Sequence, residues 1–218
     1  DPDKIALLDN FCWCSSFEKQ RLGELKMAAK GCFDGAVEFG SPFISGKDSM
    51  FNDFKGFDDK GYPVKISVPP TLLISSISVM DDVEKVVSID AKIPGDLVYL
   101  LGETNSALGG SEYYQYLSET NNQYAPGNTV PQVDIETNKK MYRALYLAIT
   151  QGLVASCIPV NRGGLMIALS KMSLAGQLGV NISLQGLSGN NHDLLFSESS
   201  GRLVITINPT QKEQFEKT

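Results

Sequence analysis

Apolar positions along the chain recur at two periods, and the changes between those periods mark out the elements. Residues 5–8 form a short apolar run closing on Asp9 and Asn10, the pattern of a strand with polar groups at its end. From Lys19 to Phe39 the repeat becomes helical, with Leu22, Leu25, Ala29, Cys32, Phe33 and Ala36 on one face and Arg21, Glu24, Lys26 and Lys30 elsewhere. Gly31 and Gly35 weaken that helix, and Gly40-Ser41-Pro42 stops it. Phe43-Ile44-Ser45 reads as a short strand leading into Gly46-Lys47-Asp48-Ser49. Residues 52–61 read as a hairpin or loop, residues 62–68 alternate apolar and polar, and residues 71–80 form a strand rich in Ile, Leu and Ser.

Asp81-Asp82 ends that strand and the character changes. Residues 96–101 are another apolar strand, followed by a loop of small residues over 102–110. Ser111 is placed to cap a short helix, with half a capping box because Tyr114 stands where Glu or Gln completes one. A surface loop with Pro126-Gly127 spans 120–132, and residues 134–156 carry the clearest helical spacing. Gly163-Gly164 opens a further helix with Leu165, Ala168, Leu169, Met172 and Ala175 on one face. Residues 180–184 and 202–207 read as strands, and residues 211–218 begin a helix. Strands and helices mix without strict βαβ alternation, which predicts an α+β fold with helices packed on sheets of mixed direction. The boundary is expected near residues 89–94, giving domains 1–90 and 91–218. Both ends read as cut: the chain opens on Asp1-Pro2 without Met, the first strand has no preceding partner, and the last helix has no terminator.

Composition narrows the classes. Of 218 residues, 42% are hydrophobic and 20% charged, enough apolar material for a core and against wholesale disorder. The net charge of −6 argues against nonspecific nucleic-acid or anionic-membrane partners, yet allows a phosphorylated ligand held by backbone amides. The apolar run at 71–80 is too short to span a bilayer and is broken by Ser75, Ser76 and Ser78. Cys12, Cys14, Cys32 and Cys157 lack zinc spacing, and the single His192 is remote, so they read as buried or loop thiols of a cytoplasmic protein.

Several segments carry candidate chemistry. Gly46-Lys47-Asp48-Ser49-Met50 fails as a Walker A loop, because five residues separate Gly40 from Gly46 and Asp48 follows Lys47. It still offers a glycine, a cation, a carboxylate and a hydroxyl, and reads either as a polyphosphate-binding segment or as a polar turn. Asp9-Asn10 is a metal or nucleotide contact, or an Asx turn. Leu108-Gly109-Gly110-Ser111-Glu112 and Arg162-Gly163-Gly164-Leu165 have the form of anion cradles at helix starts, or of packing devices. In Ser197-Glu198-Ser199-Ser200-Gly201-Arg202, the side chains either bind a substrate or leave Glu198 and Arg202 as a local ion pair. His192, in an apparent surface loop, gives no support to Ser/His/Asp catalysis.

Taken together in order, Leu8-Asp9-Asn10-Phe11-Cys12-Trp13, Pro42-Phe43-Ile44-Ser45-Gly46-Lys47-Asp48-Ser49-Met50, Leu108-Gly109-Gly110-Ser111-Glu112-Tyr113-Tyr114, Gly163-Gly164-Leu165-Met166-Ile167-Ala168 and Phe196-Ser197-Glu198-Ser199-Ser200-Gly201-Arg202 resemble the formylglycinamidine ribonucleotide synthetase (PurL) family over nearly the whole chain. The resemblance is to the later half of that synthetase. It implies part of an aminoimidazole-ribonucleotide-synthetase-like (PurM-like) N-domain followed by a PurM-like C-domain. It further implies ATP-dependent amidation of formylglycinamide ribonucleotide in de novo purine biosynthesis, with Mg2+, an ammonia donor from a glutaminase domain or subunit, and the first half of the same synthetase as partners. By residue, Asp9 and Gly46 match nucleotide contacts and Ser49 a substrate contact. No residue here matches the family's catalytic His, so a fragment of this kind is expected to be inactive alone.

Two departures qualify that picture. Lys47 stands where many relatives have a Mg2+-ligating Asn, and a protonated lysine is a poor ligand; Asp48 is the possible substitute and the metal ligand stays unknown. Pro159 and Arg162 stand where relatives have the acidic residues of Asp-x-Ser-Asp-Gly-Gly-Leu, which implies a degenerate nucleotide site in this half. The alternative is therefore a noncatalytic scaffold half of the same synthetase.

Overall fold

The computed structural model describes residues 1–106, 108–121, 127, 129–185, 187 and 189–218. Part of the loop expected at 120–132 and one residue of that at 102–110 lie outside the described residues. The chain divides into two compact units, Asp1–Asp81 and Asp82–Thr218.

In the first unit, β1 (Ile5–Cys12), α1 (Lys19–Phe39) and β2 (Phe43–Ser49) form a parallel crossover. A hairpin of β3 (Asp53–Phe57) and β4 (Pro63–Ser67) follows, then β5 (Thr71–Ser78), which runs antiparallel to β1. The main sheet has the order β2-β1-β5 and mixes both directions. β1 and β2 extend through the polar residues that were expected to end them, so Asp9-Asn10 and Gly46-Lys47-Asp48-Ser49 are strand rather than turn.

α1 is pinned at its start, where the Trp13 indole N–H donates to the Arg21 carbonyl at 3.1 Å. It stops at Gly40, whose φ of 75° is left-handed, with Ser41 N–H donating back to the Ala36 carbonyl at 2.9 Å. Its inward face is Leu25, Ala28 and Cys32 against Phe11, Trp13 and Cys14. Leu22 and Phe33, expected on the core face, are 51% and 67% exposed. The strand side already supplies bulky Phe11 and Trp13, and Leu25, with the smaller Ala28 and Cys32, fills the space they leave.

The second unit comprises β6 (Leu97–Leu101), α2 (Glu112–Asn121), α3 (Ile135–Thr150), β7 (Ser156–Val160), α4 (Gly164–Gly176), α5 (Asn191–Phe196), β8 (Arg202–Ile207) and α6 (Lys212–Lys217). The sheet order is β6-β8-β7, antiparallel throughout. Alternation along β8 sends Val204 to one face, with Val98, Ile158, Leu165, Leu169 and Met172, and Ile205 and Ile207 to the other, with Leu145, Ala148 and Tyr99. α4 and α3 thus cover opposite faces in three layers. Asp134 caps α3 by accepting from Thr137 N–H at 3.0 Å, and Ser111 caps α2 by accepting from Tyr114 N–H at 3.2 Å.

β7 was not expected as a strand, and residues 180–184 were, but they form none. The apparent loop at His192 is the first turn of α5, capped by Asn190, which accepts from Asp193 N–H at 3.0 Å. Among the described residues no helix is long and apolar enough to cross a membrane.

Candidate functional site

In the first unit, parallel register sets Asp9 opposite Gly46, Asn10 opposite Lys47, Phe11 opposite Asp48 and Cys12 opposite Ser49. Side chains alternate across a sheet, so Asp9, Gly46 and Asp48 share one face, and Asn10, Lys47 and Ser49 share the other. The Asp9 carboxylate lies over Gly46: a Cβ built there would fall 2.0 Å from Oδ1 and 2.7 Å from Cγ. Only glycine leaves room for that carboxylate without moving it. Phe11, on the same face, packs against Leu25, Ala28 and Cys32 of α1, so this is the helix side of the sheet; burial, and secondarily the negative charge of Asp9, raise the Cys32 thiol.

On the opposite face, Lys47 Nζ donates to Ser49 Oγ at 2.5 Å. The Asn10 Oδ1 beside them is buried without a hydrogen-bond partner. β2 is an edge strand of this sheet. Geometry therefore brings Asp9 and Gly46 together, and sets Ser49 across the sheet from them. The alternation that pairs Asp9 with Gly46 also aligns Asp48 with both, a signal legible in the spacing once the register is known.

In the second unit the expected anion cradles are filled from within. Glu198 Oε1 accepts from Glu112 N–H at 2.9 Å, at the start of α2, and from Gly163 N–H at 2.8 Å, at the start of α4. Two helix N-termini are thus neutralised by one carboxylate. Arg162 is ion-paired to Glu112. Glu198 and Arg202 do not pair with each other. Arg202, only 1% exposed, donates to Thr104 Oγ1 at 2.9 Å and to the Ser197 and Ser199 carbonyls, and desolvation lowers it to about 10. Ser197 and Ser199 are committed to Asn105. His192 stacks on Tyr113 and shares a 2.5 Å hydrogen bond with its hydroxyl. Among the described residues no three His, Cys, Asp or Glu side chains cluster as a metal site, and all four cysteines are free.

A parallel βαβ unit with an antiparallel partner strand, followed by a three-layer antiparallel unit, defines an α+β protein of the PurM-like class. The chain belongs to the AIR synthase related family, whose C-terminal domain matches residues 94–218. Among curated proteins, the phosphoribosylformylglycinamidine synthase subunit PurL of Methanocaldococcus jannaschii is 33% identical over 217 residues, covering 97% of this chain and 28% of the relative. That of Synechocystis is 30% identical over 215 residues, covering 98% of this chain and 27% of the relative. The chain thus spans little more than a quarter of these relatives. Thermotoga maritima PurL complexed with FGAR superposes with a TM-score of 0.63 at 17% identity, over 97% of this chain and 33% of that one. A chain of the HypE–HypF complex does so with a TM-score of 0.61 at 16% identity, over 99% of this chain and 66% of that one. At those identities the likeness is one of fold; it is the PurL identities that separate the relatives.

Proposed function

We propose that this chain is a C-terminal-half segment of phosphoribosylformylglycinamidine synthase, residues 1–90 belonging to a PurM-like N-domain and residues 91–218 to the C-domain. It contributes Asp9 and Gly46 to an ATP site and Ser49 to the contact with formylglycinamide ribonucleotide. The first half of the synthetase supplies the catalytic His, and a glutaminase domain or subunit the ammonia. The observation that carries this reading is the Asp9 carboxylate laid across Gly46 on an edge strand.

In the proposed reaction ATP phosphorylates the amide oxygen of the substrate, and ammonia then displaces phosphate. Protein groups act by positioning and by charge. Asp9 and Asp48, on one face, are the carboxylates suited to hold Mg2+ together with phosphate oxygens, as that ion prefers. Mg2+ would offset charge on the triphosphate. Lys47 is not such a ligand; its ammonium donates to Ser49 and from there can hold the Ser49 hydroxyl in place.

For the second unit a scaffold role is favoured by a specific observation: Glu198 already occupies the amides at the starts of both α2 and α4. Asp9→Ala and Ser49→Ala in the whole synthetase test the assignment. Loss of amidine formation supports it, and unchanged turnover transfers the whole segment to the scaffold reading.

A further inference from the structure

β2 ends at Ser49, and the residues that follow fold back over the strand end instead of running on. The Ser49 carbonyl accepts from Trp13 N–H at 2.7 Å and from Asn52 Nδ2 at 2.9 Å. Asn52 N–H donates to the Trp13 carbonyl at 3.0 Å, so both ends of the segment hold the residue that follows β1. Asn52 Nδ2 also donates to Cys12 Sγ at 3.5 Å, and Cys12 is the residue paired with Ser49 across the ladder. Val68 N–H donates to the Asn52 carbonyl at 3.0 Å, which carries the β3–β4 pairing on by one residue. One asparagine thus joins the ends of β1 and β2 to the start of the hairpin. Its amide reaches the face on which Lys47 Nζ donates to Ser49 Oγ.

The fold-back needs a left-handed residue, and that residue is Phe51, at φ 59°. Glycine takes this conformation without cost, whereas a bulky aromatic residue is strained in it. Such strain persists only where the surroundings over-determine it, and it gathers at sites that must keep a fixed shape. Here the hydrogen bonds of Asn52, from its amide, its N–H and its carbonyl, hold the turn closed.

We propose that Asn52 is a positioning residue for Ser49. Its amide fixes the Ser49 peptide plane, and with it the direction in which the hydroxyl meets formylglycinamide ribonucleotide. The inference rests on the reading of Ser49 as a substrate contact. A contact of that kind must be held to within about 0.5 Å, and a strand end needs supporting hydrogen bonds to do so. The Asp9–Gly46 pair stands earlier in the same ladder and is not touched by this network, so substrate binding depends on Asn52 and ATP binding does not.

The test compares whole synthetases carrying Asn52→Asp, Asn52→Ala, Ser49→Ala and the Ser49→Ala, Asn52→Ala pair. Asn52→Asp keeps the shape of the side chain but offers no N–H to the Ser49 carbonyl. Each single variant should raise KM for formylglycinamide ribonucleotide about tenfold, with a smaller change in kcat and an unchanged Kd for ATP. In the Ser49→Ala background Asn52→Ala should add little, as for a residue that acts through Ser49. The proposal is overturned if both residue-52 variants keep the wild-type KM while Ser49→Ala does not, a result that leaves Ser49 its role. It is overturned equally if both variants lose ATP affinity along with substrate, which makes Asn52 a structural residue only. An Asn52→Ala effect as large without the Ser49 hydroxyl as with it also overturns it. A wild-type KM in Ser49→Ala removes the substrate contact itself, and the inference falls with that reading.

Discussion

Asp9 and Gly46 stand directly opposite each other on β1 and β2, and the aspartate carboxylate occupies the space a side chain at residue 46 would need. Gly46→Ala must therefore displace Asp9. We expect a loss of about 1–3 kcal/mol from overpacking, measured by urea denaturation. In an Asp9→Ala background most of that loss should vanish, because the clashing group is gone; additive losses would show that the two residues are not coupled.

Glu198 tethers α2 and α4 by accepting from Glu112 and Gly163 N–H. Glu198→Ala leaves both amides without that charge and should cost about 2 kcal/mol, or roughly 4–8 °C in Tm. Glu198→Gln, which still accepts but carries no charge, should lose about half as much. Thermal unfolding of the two variants checks the order.

Asp90 stands in the strap that the chain before β6 lays over β7, its carboxylate bonded to Ser88 and Lys92 of the same segment. Hydrogen bonds from Lys92 first and Ser88 second hold its carboxyl down to about 2, below the ordinary 3.8. A depressed folded-state pKa gives stabilisation that is complete above the ordinary value and lost as pH falls through about 2. Protection of the Cys157 amide, which donates to Ser88, should therefore hold at pH 4 and fall toward pH 2. Asp90→Asn should remove that pH dependence.

Cys157 behaves in the opposite sense. Burial pushes its thiol from 9.0 up to about 11, so the proton is held more tightly in the folded chain. Its contribution to stability is complete below pH 9 and lost as pH rises through about 11. At pH 8 iodoacetamide should leave Cys157 unmodified in the folded protein and alkylate it in urea, as mass spectrometry of peptides will show.

How much was legible beforehand varied with what each residue answers to. α1 and β8 follow apolar periodicity, and their bounds emerged from it. The inward face of α1 emerged only in part: Leu25 and Cys32 pack inward as expected, but Leu22 and Phe33 do not, because an apolar stripe this broad leaves rotation to be set by Phe11 and Trp13 across the interface. β7 was hidden by Pro159, which discourages a strand reading although an edge strand tolerates it. Residues 180–184 read as a strand from composition alone, whereas a strand also needs a neighbour to pair with. At the candidate site, Asp9, Gly46 and Ser49 were found by resemblance. Their separation onto two faces, and the alignment of Asp48 with Asp9, depend on register, which no spacing within a single segment fixes. Glu198 was visible as a carboxylate in a polar segment, but its two partners lie 86 and 35 residues away.

The most direct test of the central claim is calorimetric titration of ATP into the whole synthetase carrying Asp9→Ala, compared with wild type and with Glu198→Gln. We predict at least a tenfold loss of ATP affinity for Asp9→Ala, equivalent to about 1.4 kcal/mol, and near wild-type affinity for Glu198→Gln. Unchanged affinity in Asp9→Ala would contradict a nucleotide role for the Asp9–Gly46 pair.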